Sequence, residues 1–136
     1  MEANSDPIGV LVVDDERDIR EGSERILKRA GYWVRMAARG EQALEILAGD
    51  PVSIVLLDLK MPGMDGMQVL TEIRLRDPSV LVIVITGYAT VETAIEAMKQ
   101  GAYDFIPKPF EPDQLRIVVG RAAERLRLTR ERERLE

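Results

Sequence analysis

Neither cysteine nor histidine occurs anywhere in this 136-residue chain. Without cysteine there are no disulfide bonds and no thiol nucleophiles, and without either residue the usual zinc ligand sets are excluded. The lack of histidine also excludes an imidazole as a general base. The chemistry that remains is that of carboxylates, lysines and hydroxyls, which suits a hard metal ion and a phosphoryl group.

The chain also lacks a long apolar run and an excess of positive charge. No uninterrupted apolar segment approaches the roughly 20 residues needed to cross a bilayer, and residues 1–7 are polar rather than signal-like. The net charge of -5, from 24 acidic and 19 basic residues, provides no general attraction to nucleic acid or anionic lipid. We therefore expect one cytoplasmic domain that contacts no membrane and makes no direct contact with nucleic acid.

Short apolar runs rich in valine, isoleucine and leucine recur without polar alternation. Such runs occupy residues 8–13, 54–57 and 80–85, and two shorter strands are predicted at Trp33–Ala37 and at residues 104–106. Continuous apolar runs are typical of strands buried on both faces of a parallel sheet. Pro107, beside the last strand, favours an edge position because proline cannot donate a hydrogen bond to a neighbouring strand.

Between these runs, apolar residues recur at the spacing of amphipathic helices. Gly31, Gly49 and Gly101 stand where helices are expected to end, Thr90 is a predicted N-cap and Pro112 a predicted first helical residue. A strand followed by a helix, repeated five times, predicts an α/β fold with a doubly wound, five-stranded parallel sheet. In such folds, ligands bind at the carboxyl ends of the strands.

Five polar residues stand at the ends of the predicted strands. Asp14 and Asp15 follow the first strand, Asp58 follows the third, Thr86 ends the fourth and Lys108 lies just after the fifth. Two unit charges about 4 Å apart repel by about 4 kcal/mol at an effective dielectric constant of about 20, so three clustered carboxylates favour a bound cation. Magnesium fits best, because it prefers oxygen ligands and is often held by carboxylates together with a phosphate. Any one of these acids could be a simple helix cap, but the set of five indicates a phosphate site.

These residues and their neighbours closely resemble the signature of receiver domains of two-component signalling. The resemblance is carried by Asp14-Asp15, Asp58, Met61-Pro62-Gly63-Met64-Asp65-Gly66, Thr86-Gly87 and Lys108-Pro109-Phe110, and it covers residues 8–123. It implies the flavodoxin-like fold of five β-α units. It also implies a signalling switch rather than an enzyme, a domain that catalyses only its own phosphorylation and dephosphorylation.

The resemblance implies that Asp58 is the phosphoacceptor and that the metal is magnesium. Asp15, Asp58 and the main-chain carbonyl of Lys60 would bind the ion directly, and Asp14 would bind it largely through water. The phosphoryl donor would be the phosphohistidine of a sensor histidine kinase, and because this chain has no histidine, the donor must lie on a separate kinase or on another domain.

The same resemblance implies that Thr86 and Lys108 contact the phosphoryl oxygens. Lys108 would be positioned by a cis bond to Pro109, of the kind that proline permits. Phe105 takes the place of the family's switch aromatic, which turns inward when Thr86 moves toward the phosphate.

Other classes of protein fit the sequence less well. A phosphatase with an aspartate nucleophile needs a second aspartate two residues later, where this chain has Lys60. Nucleotide or flavin binding requires a G-x-G-x-x-G segment after the first strand, where Asp14, Asp15 and Glu16 would repel a phosphate. A receiver-like interaction module that has lost phosphorylation, and the receiver of a hybrid kinase, remain open alternatives.

Within the family, the sequence resembles receivers of the nitrogen-regulation type. This resemblance is carried by Thr86-Gly87-Tyr88, Ala94, Met98, Gly101-Ala102-Tyr103-Asp104-Phe105 and Lys108-Pro109-Phe110. Receivers of this type precede an AAA+ ATPase and a helix-turn-helix domain in transcriptional activators. We therefore expect a covalently linked output domain that regulates transcription.

The last segment predicts how a switch would be read out. We expect residues 1–7 to be disordered or extended, residues 8–123 to form the receiver, and residues 124–136 to be a helical extension or the start of a linker. An apolar stripe is formed by Leu115, Val119, Ala122 and Leu126. It predicts a helix that covers the sheet at first and then leaves it. We expect a homodimer through the fourth helix, the fifth strand and this last helix.

Overall fold

A computed structural model describes residues 7–87 and 90–135 of the chain. The strands are β1 (Gly9–Val13), β2 (Trp33–Ala37), β3 (Val52–Asp58), β4 (Leu81–Thr86) and β5 (Asp104–Pro107). The helices are α1 (Arg17–Arg29), α2 (Gly40–Gly49), α3 (Gly66–Arg76), α4 (Val91–Lys99) and α5 (Pro112–Leu135). Strands and helices alternate as predicted. The expectation of a disordered or extended N-terminus falls, except for residue 7, outside the described residues.

The five strands form one parallel sheet in the order β2-β1-β3-β4-β5. Helices α1 and α5 pack on one face, and α2, α3 and α4 pack on the other. This confirms the doubly wound α/β fold, and the place of β5 at an edge confirms the prediction made from Pro107. Because the chain passes from β1 to β2 on one side and to β3 on the other, the carboxyl ends of β1 and β3 lie at a topological switch point.

The central strands are buried on both faces, which explains their continuous apolar sequences. Val10 and Val12 of β1 pack against the α1 and α5 side, whereas Leu11 and Val13 pack against the opposite side. Every residue of β1 is buried, and β4 is buried from Val82 onward. Burying apolar surface stabilises by about 25 cal/mol per Å², so this two-sided core holds the strand ends in place.

The predicted helix boundaries are confirmed by their backbone geometry. Thr90 is the N-cap of α4, and its hydroxyl accepts a hydrogen bond from the backbone N–H of Thr93 at 3.0 Å. Gly31 and Gly101 follow α1 and α4 with φ of 101° and 106°, a left-handed conformation that favours glycine. Pro112 begins α5, where its missing N–H would have no helical partner.

Helix α5 is a single helix of 24 residues, about 36 Å long at 1.5 Å per residue. The predicted apolar stripe is confirmed, since all four of its members are buried: Leu115, Val119, Ala122 and Leu126. Further along, the Arg130 guanidinium donates a 2.9 Å hydrogen bond to the hydroxyl of Ser53 on β3. The helix runs unbroken through residues 123 and 124, so the division between receiver and extension remains a prediction.

A search of the described helices for a segment long and apolar enough to cross a membrane finds none.

Gly66 allows α3 to begin directly against the backbone of Leu59. A Cβ atom at Gly66 would lie 2.4 Å from the Leu59 Cα and 2.6 Å from its carbonyl oxygen. Because backbone atoms cannot move aside cheaply, we predict that Gly66→Ala lowers the free energy of unfolding by about 1–3 kcal/mol. Urea unfolding would measure this change.

Gly22 of α1 provides the matched control for this prediction, because a Cβ placed there would meet no atom within 4 Å beyond its chain neighbours and the helix's own backbone. Gly22→Ala should instead raise the free energy of unfolding by about 0.5–1 kcal/mol, since alanine is the better helix former. Equal losses in the two variants would contradict the close approach of α3 to Leu59.

Candidate phosphate and metal site

The parallel sheet brings the predicted site residues to one edge. Asp14 and Asp15 follow the end of β1, Asp58 is the last residue of β3 and Thr86 is the last residue of β4. They meet at the carboxyl edge because β1, β3 and β4 are neighbours in the sheet. A cleft of about 410 Å³ opens there, lined by Asp15, Glu16, Asp58, Lys60, Thr86, Gly87 and Lys108.

The Lys108 ammonium lies among three carboxylates. Its Nζ atom is 2.8 Å from Asp14 Oδ2, 2.9 Å from Glu16 Oε1 and 3.1 Å from Asp58 Oδ2. Asp14 and Asp58 are buried, and only 11% of the Lys108 side chain is exposed. Breaking a buried ion pair by removing one partner typically costs about 3–5 kcal/mol, so Lys108 is the group that makes this acidic cluster tolerable.

Local backbone contacts hold these side chains in position. The backbone N–H of Glu16 donates to Asp14 Oδ1 at 2.9 Å, and that of Lys60 donates to Asp58 Oδ1 at 3.0 Å. Lys108 is fixed at its own backbone, where its N–H donates to the Thr86 carbonyl oxygen at 3.0 Å. The peptide bond between Lys108 and Pro109 is cis, which confirms the prediction.

The excess negative charge of the cluster favours a bound cation. Burial raises the pKa of Asp14, and the negative charge of Asp58 adds to this, although contacts with Lys108 and the Glu16 backbone oppose it. Burial works against the charge on Lys108, but its contacts with Asp14 and Glu16 and the attraction of Asp58 prevail, and the pKa of Lys108 is raised. The ammonium therefore stays protonated at any physiological pH.

The donor set fits a hard cation such as magnesium. One carboxylate oxygen each from Asp14, Glu16 and Asp58 lies within 4.8 Å of the other two. Asp14 Oδ2 is buried and has no hydrogen bond, although it lies at ion-pair distance from the lysine ammonium. A buried carboxylate oxygen held by charge alone favours an additional positive ligand.

The structure differs from the sequence-based picture in the place of Glu16. Asp15 lines the cleft and is exposed, whereas Glu16 is the residue whose carboxylate joins Asp14 and Asp58. From the sequence, Glu16 was expected only to repel the phosphate of a bound nucleotide. Its position, one residue past the aspartate pair, was the available signal, but its side-chain direction depends on Lys108, 92 residues away.

Phe105, the predicted switch aromatic, lies on β5 and is partly buried. It packs against the core cluster on the α2, α3 and α4 side of the sheet. In the parallel pairing of β4 with β5 it stands opposite Val84, two residues before Thr86. Phe105 is therefore separate from the cleft but belongs to the neighbouring strand.

Comparisons with known proteins agree with this geometry. Residues 10–120 match the response regulator receiver domain family. The chain is 50% identical over 126 residues to an NtrX-like response regulator of Rickettsia bellii, covering 91% of this chain and 26% of that protein. It is 42% identical over 124 residues to the nitrogen assimilation regulatory protein NtrX of Azorhizobium caulinodans, covering 90% of this chain and 27% of that protein.

A solved structure is similar over nearly the whole chain. The crystal structure of NtrX from Brucella abortus superposes with a TM-score of 0.89 at 39% identity, covering 96% of this chain and 30% of that one. The predicted likeness to receivers of the nitrogen-regulation type is thus confirmed. The chain spans about a quarter of the length of the curated relatives that it matches.

The raised pKa of Asp14 predicts that its charge costs stability when no metal is bound. The folded protein holds this proton more tightly than the unfolded chain, whose pKa is near 3.8. The wild type therefore loses stability as the pH rises from about 3.8 through the raised folded pKa. We predict that Asp14→Asn raises the free energy of unfolding at neutral pH by about 1 kcal/mol, with a smaller gain in acid.

Urea unfolding in chelator at neutral and acidic pH would measure this gain. Glu45→Gln, which removes the same charge from an exposed position on α2, is the control and should change stability little at either pH. A gain from Asp14→Asn that did not depend on pH, or a loss, would contradict the assignment of the cost to the buried charge.

Proposed function

Because this chain belongs to the response regulator receiver domain family, we propose that Asp58 accepts a phosphoryl group from the phosphohistidine of a sensor histidine kinase. One observation carries the proposal. Asp58 ends β3 inside the cleft, where the Lys108 ammonium lies 3.1 Å from its Oδ2 atom and the Lys60 N–H lies 3.0 Å from its Oδ1 atom. This carboxylate is thus presented at the edge of the sheet beside a fixed positive charge.

In the proposed transfer, a carboxylate oxygen of Asp58 attacks the phosphorus in line with the leaving group. A bond from this oxygen to phosphorus forms as the bond between phosphorus and the kinase imidazole nitrogen breaks, and that nitrogen keeps the electron pair. Lys108 donates to the phosphoryl oxygens as their negative charge develops. The Thr86 hydroxyl, at the end of β4, is proposed as a second donor to these oxygens.

Magnesium is the proposed cofactor of this transfer. Asp15, Asp58 and the carbonyl of Lys60 would hold it directly, with Asp14 contributing largely through water. When bound, the ion supplies positive charge that offsets the repulsion between the carboxylates and the phosphoryl oxygens. Two features support this assignment: Asp15 and Lys60 both line the cleft, and Asp14 has a buried oxygen without a hydrogen bond.

The proposed readout passes from Thr86 to Phe105 and α4. Thr86 ends β4, and its carbonyl oxygen accepts a hydrogen bond from the backbone N–H of Lys108. Movement of Thr86 toward a phosphoryl group would therefore act on the backbone that carries Lys108 and on α4, the next helix along the chain. Phe105, on the neighbouring strand β5, would turn inward to fill the space that Thr86 leaves. Such a two-state element can be biased by phosphorylation at one end and by a partner at the other.

We also propose that the chain is the input part of a longer regulator. Its relatives are about four times as long, and α5 continues to Leu135 without a break. A linked output domain, transcriptional by analogy with the regulatory proteins that the chain matches, would receive the signal through α5. These relatives are response regulators, which favours this arrangement over the receiver of a hybrid kinase.

An apolar stripe on α4 supports a homodimer through α4, β5 and α5. Val91, Ile95 and Met98 follow one face of α4, and at least 47% of each is exposed. Gln100, the C-cap of α4, contacts Thr71 of α3, so the stripe lies on a side of α4 that does not face α3. Ile117 of α5 is also exposed.

We predict that acetyl phosphate phosphorylates the wild-type chain in magnesium but not in chelator, because the cation must offset carboxylate repulsion. Intact-mass measurement would detect the adduct, and Asp58→Asn should abolish it. Asp104→Asn, which removes a carboxylate from β5, outside the cleft, is the control and should be labelled normally. An adduct that persists in Asp58→Asn would refute the acceptor, and no adduct at all would favour a phosphorylation-independent module.

We predict that beryllium fluoride with magnesium, as a phosphoryl mimic, shifts the chain toward a dimer. Ile95→Glu should weaken this dimer at least tenfold, because it places a charge in the apolar contact. Leu75→Glu is the control, since Leu75 is an apolar residue on α3 that is also exposed, at 74% against 50% for Ile95. Sedimentation across concentration would measure both. A wild type that stays monomeric in both states, or equal effects of the two variants, would refute this interface.

A further inference from the structure

Glu16 stands at the N-cap position of α1, but its side chain does not cap the helix. It precedes α1 with extended backbone dihedrals, and its side chain accepts no hydrogen bond from the helix. Serine, threonine, aspartate or asparagine at an N-cap would satisfy one of the free N–H groups there. The Glu16 carboxylate instead accepts a 2.9 Å hydrogen bond from the Lys108 ammonium. The sequence thus breaks a local folding rule at the site, which is where such departures are expected.

The Lys108 ammonium is already engaged by carboxylates in this arrangement. Of its three N–H donors, two make hydrogen bonds, to Glu16 and to Asp58. Asp14 Oδ2 lies 2.8 Å from Nζ as an ion pair without a hydrogen bond. A phosphoryl group on Asp58 therefore competes with these carboxylates for Lys108.

We propose that Glu16 is a positioning residue that holds Lys108 at the mouth of the cleft before phosphorylation and gives it up to the incoming phosphoryl group. This inference rests on the proposed role of Asp58 as acceptor and adds a residue that sets the rate of transfer. The carboxylate that yields is Glu16 because it returns to water easily: its side chain is 61% exposed, whereas that of Asp14 is 0% exposed. An exposed carboxylate regains its hydration when its ion pair breaks, but a buried carboxylate left without a partner costs far more.

Glu16 opposes the transfer in two ways that act in the same direction. It must release the ammonium before Lys108 can neutralise the phosphoryl oxygens, and its own negative charge repels an anionic donor at the mouth of the cleft. With acetyl phosphate as donor, the bond from Asp58 oxygen to phosphorus forms, the bond from phosphorus to the acetyl oxygen breaks, and acetate leaves with the electron pair. Glu16 takes no part in these bonds and acts only through the placement of Lys108.

The experiment compares initial rates of phosphorylation by acetyl phosphate in magnesium. Glu16→Gln, which keeps the shape and removes the charge, should react about two- to fivefold faster than wild type, the range that an exposed ion pair supplies. Raising the salt concentration should reduce the difference in rate between Glu16→Gln and wild type, because salt screens the repulsion between Glu16 and the anionic donor. Phosphoramidate, a less negatively charged donor, should show a smaller gap than acetyl phosphate.

Two controls separate this effect from a change in helix stability or net charge. Glu16→Ser introduces a good cap and should stabilise α1, yet it should accelerate the reaction as Glu16→Gln does. Glu21→Gln removes the same charge from the same helix, where Glu21 pairs with Arg17, and should leave the rate unchanged. As a readout without turnover, fluorine NMR should show tighter binding of beryllium fluoride to Glu16→Gln than to wild type.

The possible outcomes distinguish this inference from the proposed function. If wild type forms no adduct that depends on Asp58, the proposed function fails first. If the adduct forms normally but Glu16→Gln reacts at the wild-type rate or more slowly, only the role of Glu16 is overturned. Equal acceleration by Glu21→Gln would also overturn it, because the effect would then belong to net charge alone.

Discussion

The balance between one ammonium and the carboxylates around it is the interaction on which this site depends. Lys108 is tied to Thr86 through its backbone and to Asp14, Glu16 and Asp58 through Nζ. These contacts join the ends of β1, β3, β4 and β5 across the sheet. The same lysine therefore closes the carboxyl edge of the fold and supplies the positive charge that a phosphoryl group would use. The packing at this edge of the sheet and the proposed chemistry depend on the same contacts of Lys108. A change that breaks these contacts therefore alters both.

The sheet makes this balance possible because its strands cannot move apart to relieve the repulsion between the carboxylates at their ends. Leu11, Ile54, Leu57 and Ile83 are fully buried, and each residue of a central strand packs on one face or the other. A core of this kind resists displacement, since small shifts create cavities or overlaps that cost more than they relieve. The repulsion between the crowded carboxylates is therefore not relieved by movement of the strands. It shows instead at Asp14, which has a raised pKa and an oxygen without a hydrogen bond.

Most of the fold could be predicted from the sequence because its signals are local. Unbroken Val, Ile and Leu runs indicate strands buried on both faces, and Thr90, Gly101 and Pro112 mark helix ends through their own backbone preferences. The candidate site followed from the carboxyl ends of parallel strands meeting at one edge. What could not be predicted was the side-chain partner of Glu16. Its contact with Lys108 joins residues 92 positions apart, and no local pattern reports which of three neighbouring acids an ammonium will face.

Helices α3 and α4 differ in how firmly they are held against the sheet. Helix α3 buries Gly66, Val69, Leu70 and Ile73, whereas α4 buries only Ala97 among its described residues. Helix α4 also exposes an apolar stripe, so its present position buries little apolar surface and leaves the stripe available to bind a partner. Helix α4 is the next element along the chain after β4, which ends at Thr86. A rearrangement that leaves the strands in place would then act on α4 more readily than on α3, because fewer side chains of α4 are buried.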